Sequence, residues 1–393
     1  MDMRKFYFLS IIIGTMFAYS SCSNDLVEEV SEEVSEHVQT GTPMNFALEL
    51  RDNDKNHDSR KVKHNFNYND NAFNAASVDF KWEEGDVIGV DCPNADTQDG
   101  RKSQAAYKVV KSPTGDDPSI TSDLKCVSQD YLYWGEDELH RVFCAYPQGK
   151  VVLGDIQDAD PWDPTVFSRT FTATIERVQI GNVSEETIRE GNNPVQGYRA
   201  ISKENMICGG YNFFFKEWVT PDQVITLPFN AFFTSADVIF TPEEVETPKK
   251  ITIKEVKISV DESQIDYSLF SQDDVKISGT CTGTIGDNGS WALSIKQIAP
   301  TPGSSYNDVT LKVNGNDGFA WPQDKPLSTV LIMFPSKEPE NSSESYTRTF
   351  PAKLTVKYQY ENEVEQTKVL NITNNYYINA RNRIKIPALP HAE

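Results

Sequence analysis

Between Phe350 and Tyr360 every second residue is apolar: Phe350, Ala352, Leu354, Val356, Tyr358 and Tyr360, with polar residues between them. A period of two describes a strand with one dry face and one wet face, and no helix satisfies it. The alternation recurs at Phe46, Leu48 and Leu50, at Phe167, Phe171, Ala173 and Ile175, and at Val309, Leu311 and Val313. In "ITIKEVKISV" (251–260) the apolar phase shifts between Ile253 and Val256, which predicts a bulge or a break into two strands. Segments rich in Pro and Gly at 112–118, 158–164 and 301–308 read as turns. No amphipathic helix of ordinary length is present, although "SEETIRE" (184–190) allows a turn or two. The expectation is an all-β chain of antiparallel β-sandwiches, not a parallel α/β fold.

The amino terminus sets the compartment. Arg4 and Lys5 precede an apolar run at 6–18, which suits a signal peptide and falls short of the roughly 20 residues a membrane span needs. Ser20 and Ser21 are small, and a cut after them makes Cys22 the first residue, the acceptor for diacylglycerol in bacterial lipoproteins. Tyr19 stands where the best-known lipobox has Leu, and an ordinary signal peptide cut nearby is the alternative. Residues 22–43 read as an acidic tether in which Val27, Val30, Val34 and Val38 recur at helical spacing between glutamates. The expected organisation is a signal peptide at 1–21, the tether at 22–43, and two sandwich domains at 44–245 and 246–393. The boundary is placed at the polar, Pro-bearing "TPEEVETPKK" (241–250).

The chain has 37 Lys and Arg against 58 Asp and Glu, a formal charge of −21. That balance argues against nucleic acid and against direct adhesion to anionic lipid. After Cys22, five cysteines remain: Cys92, Cys126, Cys144, Cys208 and Cys281. They are widely spaced, without CxxC, and read as one or two disulfides or as buried free thiols.

Motifs that carry chemistry are scarce. His37, His57, His64, His140 and His391 are scattered, and no HExxH, GxSxG, GxxxxGK[ST] or GxGxxG pattern occurs. "DNDKNHD" (52–58) begins like a calcium loop at Asp52, Asp54 and Asn56, but His57 replaces the Gly and Lys63 the bidentate Glu. Trp82, Trp134, Trp162, Trp218, Trp291 and Trp321 are spread one per strand region, with core packing as their default. The expectation is no catalytic constellation, no metal and no cofactor.

Several segments in order resemble the Bacteroidetes fimbrillin-like (type V pilin, Mfa-like) lipoproteins. "KWEEGDVIGV" (81–90) is similar to their Trp, Gly-Asp and Ile-Gly-Val stretch, and "RVFCAYPQGK" (141–150) to their Ala-Tyr-Pro strand end. "VITLPFNAFFTSADVIF" (224–240) matches their central strand, with Asn230 where His is common. "YYINARNRIKI" (376–386) matches the closing strand, with Asn375 where Gly is common. The resemblance implies two transthyretin-like β-sandwiches in tandem in a lipid-anchored fimbrial subunit that partners other fimbrial subunits and the outer membrane. It also implies assembly in which an arginine-specific protease removes the first strand and a neighbour's strand fills the groove. On this sequence the removable strand is Phe46, Leu48 and Leu50, and the candidate cleavage sites are Arg60, in "HDSRKV", and Arg51. The candidate donor strand carries Ile378, Ala380, Ile384 and Ile386. The alternative is a non-polymerising surface lipoprotein that holds glycan or host protein through exposed aromatics.

Overall fold

The structure is a computed structural model that describes residues 37–50, 82, 84–110, 121–127, 130–160, 163–190, 193–242, 250–265, 267, 271–273, 275–288, 293–334, 352–372 and 382–386. Among them every regular element is a strand or a single turn of 3-10 helix, so the fold is all-β as the alternation predicts.

The amino-terminal part closes on itself. β1 (Asn45–Leu50), β2 (Val87–Asp91), β3 (Gln104–Val110), β4 (Thr121–Cys126), β5 (Leu139–Tyr146), β10 (Cys208–Phe215) and β11 (Val224–Ala231) form a barrel in the order β1-β11-β10-β5-β2-β3-β4, with β4 returning to β1. Its interior holds Phe46, Leu48, Ile88, Val90, Tyr107, Trp134, Ile225, Leu227 and Phe229. The seam between β10 and β11 is short: only Cys208 and Gly209 pair with Ala231 and Asn230. Pro228 lacks a donor there, and a Cβ on Gly210 would fall 1.5 Å from its carbonyl oxygen, so only glycine fits. Beyond the seam the Asn212 side-chain amide donates to the Thr226 carbonyl over 3.0 Å in place of a ladder bond.

A four-stranded sheet packs outside the barrel. β6 (Val151–Asp160), β7 (Asp163–Ile175), β14 (Ser278–Asn288) and β15 (Leu293–Tyr306) lie in the order β15-β14-β7-β6. Phe143 of β5 and Tyr211 of β10 point out of the barrel and join Phe167, Phe171, Cys281, Val330 and Ile332 in a second core. Tyr211 stacks on Phe167 with ring centroids 5.3 Å apart.

The largest sheet folds over on itself. It comprises β8 (Val178–Glu190), β9 (Asn193–Ile201), β12 (Thr234–Phe240), β13 (Ile251–Val260), β16 (Asp308–Val313), β17 (Phe319–Trp321), β18 (Leu327–Met333), β19 (Ala352–Tyr360), β20 (Gln366–Ile372) and β21 (Asn382–Ile386). The order is β20-β19-β13-β16-β8-β9-β18-β12-β21, with β17 beside β13. β8 is the hinge of the fold-over: residues 178–181 pair with β16 and residues 182–190 with β9. Val256, Leu311 and Leu354 thereby meet Val238, Leu327 and Leu331 in a third core. Hairpins before residue 245 thus share sheets with strands after it, β7 with β14, β8 with β16 and β9 with β18.

Several local expectations meet definite outcomes. The β13–β19 register shifts between Ile253 and Glu255, where the apolar phase slips. "SEETIRE" is strand, not helix: it lies in β8, where Ile188 is buried and pairing with β9 fixes the backbone. The turn signal at 301–308 is absorbed into β15. The register jumps from Gly279/Ser305 to Cys281/Pro300, so residues 301–304 bulge out and the strand continues. "VITLPFNAFFTSADVIF" splits into β11 and β12, which belong to different sheets. Among the described residues four strand pairs are parallel, β1–β11, β12–β21, β16–β8 and β18–β9, where the sequence suggested antiparallel pairing throughout.

Candidate functional site

The slot that holds β1 is the candidate site. β1 lies between β11 and β4, two strands far away in sequence. It runs parallel to β11 from Asn45–Val224 to Leu50–Phe229 and antiparallel to β4 at residues 47–49. The parallel register puts two alternations in phase: Phe46, Leu48 and Leu50 stand level with Ile225, Leu227 and Phe229. Phe46 and Leu48 are buried, and the Phe46 ring meets Tyr107 edge-on at 5.0 Å. Each such side chain contributes about 1.5–3 kcal/mol by burial. Without β1, the facing edges of β4 and β11 would carry unpaired N–H and C=O groups above an apolar trough.

The residues leading into β1 are latched separately, a feature that sequence reading missed. The Val38 N–H donates to the Val219 carbonyl, the Gly41 N–H to the Trp134 carbonyl, the Trp134 N–H to the Thr42 carbonyl and the Met44 N–H to the Leu132 carbonyl, all within 3.0 Å. The Leu132 N–H in turn donates to the Tyr107 hydroxyl over 3.1 Å, so one residue ties the latch to the ring that contacts Phe46. Burial raises the Tyr107 phenol well above its ordinary range, which keeps it a neutral hydroxyl. Lys216 Nζ donates to Thr40 Oγ1 at 2.7 Å and to the Gly135 carbonyl at 2.9 Å. Below this layer the Gly135 N–H donates to Nε2 of buried His140 over 2.9 Å. Burial, and after it Lys216, pushes the His140 imidazole down to about 4. Long-range pairing of this kind leaves no local sequence pattern.

Other singled-out residues are placed as follows. Cys22, Arg51, Arg60, Ile378 and Ala380 lie outside the described residues, as do the candidate calcium loop, Trp162 and Trp291. Ile384 and Ile386 belong to β21, level with Val238 and Phe240 of β12. Trp82, Trp134 and Trp321 are core residues, whereas Trp218 is 65% exposed and packs beside Phe215 with ring centroids 4.4 Å apart. Cys92, Cys126, Cys144, Cys208 and Cys281 are free thiols. Burial raises Cys92 and Cys281 to about 12, and Cys144 and Cys208 are pushed up too, so these thiols are held protonated. Among the described residues no group of three His, Cys, Asp or Glu is gathered to hold a metal ion.

No protein-family profile and no curated protein sequence matches the chain. Solved structures align with it at low identity and low TM-score. A candidate cell adhesion protein from Bacteroides ovatus aligns with a TM-score of 0.36 at 11% identity, covering 84% of this chain and 87% of that one. A candidate cell adhesion protein from Bacteroides uniformis aligns with a TM-score of 0.34 at 14% identity, covering 76% and 95%. A fimbrial assembly protein from Parabacteroides distasonis aligns with a TM-score of 0.27 at 9% identity, covering 87% and 90%.

Proposed function

We propose that this chain is a structural subunit of a bacterial surface fimbria, anchored by lipid at Cys22 and assembled by strand exchange. The observation that carries the reading is the placement of β1. A terminal strand with two buried side chains completes the barrel between two strands remote in sequence, and the chain continues from it into a segment bearing Arg51 and Arg60. Cleavage there leaves β1 held only by non-covalent pairing. A strand from a second copy then satisfies the same backbone groups and fills the same trough. The closing segment, with Ile378, Ala380, Ile384 and Ile386, is the donor. Its described part, β21, already runs parallel to β12, as β1 does to β11. The partners are other fimbrial subunits and, through the lipid, the outer membrane. The role of the fold is mechanical, with no catalytic step.

Mass spectrometry of the amino terminus of the surface protein tests the reading. An acylated Cys22 in the precursor and a start at Lys61 in the assembled form support it. A polymer whose subunits retain residues 44–60 overturns it. The non-polymerising binder is the second reading, favoured by one observation: the exposed Trp218 beside Phe215 offers a ring face to a sugar or a protein. A stable monomer after trypsin that is retained on a glycan array, with retention lost in Trp218→Ala, would favour it.

A further inference from the structure

β11 is held unequally on its two sides. Toward β1 it is paired from Asn45–Val224 to Leu50–Phe229. Toward β10 the ladder reaches only Cys208–Ala231 and Gly209–Asn230, beside the bond from the Phe232 N–H to the Ile207 carbonyl at 2.9 Å. Pro228 ends that ladder because it has no N–H to extend it, and its carbonyl lies against Gly210. Beyond Pro228, β11 is tied to β10 by a side chain. Asn212 Nδ2 donates to the Thr226 carbonyl at 3.0 Å, while Asn212 Oδ1 accepts the Phe213 N–H at 2.9 Å. Both partners are backbone groups, so the orientation of the amide is fixed by them. The tie has the length of a side chain, so β11 stands off β10 and lies along β1.

We propose that Asn212 is a positioning residue that braces β11 against β10 and keeps the β1 slot one strand wide when β1 is absent. The movement it opposes follows from the alternation. Ile225, Leu227 and Phe229 are in phase with Phe46, Leu48 and Leu50, and β4 runs antiparallel to β1. With β1 gone, an unbraced β11 would shift by one strand spacing and pair antiparallel with β4. Its own apolar row would then fill the vacated trough, and the edges that accept a strand would be used up. The brace leaves those edges apart and ready for an incoming strand. The proposal takes its purpose from the reading of β1 as an exchangeable strand. The bracing itself belongs to a single chain and is measured without exchange between copies.

Disulfide trapping in the full chain tests it. Asp123 and Thr226 stand level with Ala47 on its two sides. Two strand spacings put these positions about 9–10 Å apart, beyond the roughly 7 Å that a disulfide spans. The chain carries Asp123→Cys and Thr226→Cys, with Phe46→Asp and Leu48→Asp to keep β1 out, and is oxidised with glutathione disulfide. While Asn212 is present, positions 123 and 226 should cross-link no more than in a chain with β1 intact. Asn212→Asp keeps the size and the acceptor for Phe213 but loses the donor for Thr226, and should raise the cross-linked fraction about tenfold or more. With β1 intact, Asn212→Asp should give no cross-link, which separates slot closure from a general loosening of the barrel. Equal cross-linking with and without Asn212→Asp when β1 is out, or cross-linking with β1 in place, would overturn the proposal. Trypsin-cut chain freed of its amino-terminal fragment in mild urea carries the same comparison where the double aspartate chain does not fold. A polymer that retains residues 44–60 would sink the exchange reading and leave this comparison as it stands.

Discussion

Gly135 donates its backbone N–H to Nε2 of His140, and this bond exists only while the imidazole is neutral. A protonated imidazole has N–H groups on both nitrogens and would set one against the Gly135 donor. The folded-state value of about 4 lies below the ordinary 6.5, so the unfolded chain binds the proton first. Stability from this site is complete above about pH 6.5 and declines as pH falls from there to about 4, by about 3 kcal/mol in all. Because Gly135 also holds Thr40 and Lys216, acid should loosen the latch ahead of β1. Urea midpoints of wild type and His140→Gln, compared between pH 7.5 and 4.5, check this: the gap should narrow as pH falls, while carboxylate losses common to both cancel.

Arg169 and Asp91 form a buried ion pair at 2.7 Å between β7 and β2, linking the four-stranded sheet to the barrel. Arg169 Nε also donates to the Gly154 carbonyl at 2.7 Å, and Gln104 donates to Asp91. Removing one partner strands the other in a dry interface. Arg169→Met and Asp91→Leu should each cost about 3–5 kcal/mol in chemical denaturation, and the double variant less than their sum.

Gln179 acts as a short stretch of strand. Its side-chain amide donates to the Ile332 carbonyl at 2.7 Å, and its Oε1 accepts the Ile332 N–H at 3.1 Å, where β8 leaves β16 for β9. Gln179→Leu leaves both backbone groups of Ile332 unpaired in a fully buried place. Each costs about 1–3 kcal/mol, and the loss should appear in the denaturation midpoint with the far-ultraviolet spectrum unchanged.

The sheet rims carry features that discourage random pairing. β15, at one rim, bears Pro300 and Pro302; β6, at the other, shifts register three times against β7. On the rim strand β20, Lys368 stands level with the core residue Val356. Prolines, bulges and inward-register lysines all spoil an edge as a template. A chain carrying Pro300→Val, Pro302→Val and Lys368→Val should form dimers and higher species in sedimentation at concentrations where uncut wild type stays monomeric.

Strands were legible where one face is wet and the period of two survives, as in Ala352–Tyr360 and Phe46–Leu50. The bulge at Ile253–Glu255 was legible because a slip in pleat phase shows directly in apolar spacing. Pairing partners were not. Nothing local to Phe46 says that it lies level with Ile225 in a parallel ladder, because register is set by two distant alternations meeting. "SEETIRE" misled because its charges suit a helix surface equally well, and only β9 decides the matter. The latch on residues 38–44 rests on backbone bonds and one histidine, which composition cannot flag.

The central claim is that β1 is replaceable in its slot. The direct measurement is assembly of trypsin-treated chain in the presence of a synthetic peptide spanning residues 44–51, followed on a denaturing gel without boiling. The account predicts a ladder without peptide and its suppression by excess peptide, with no suppression when Phe46 and Leu48 of the peptide are replaced by Asp. Equal ladders with either peptide, or cleavage after Arg60 that leaves a lone monomer, would contradict it.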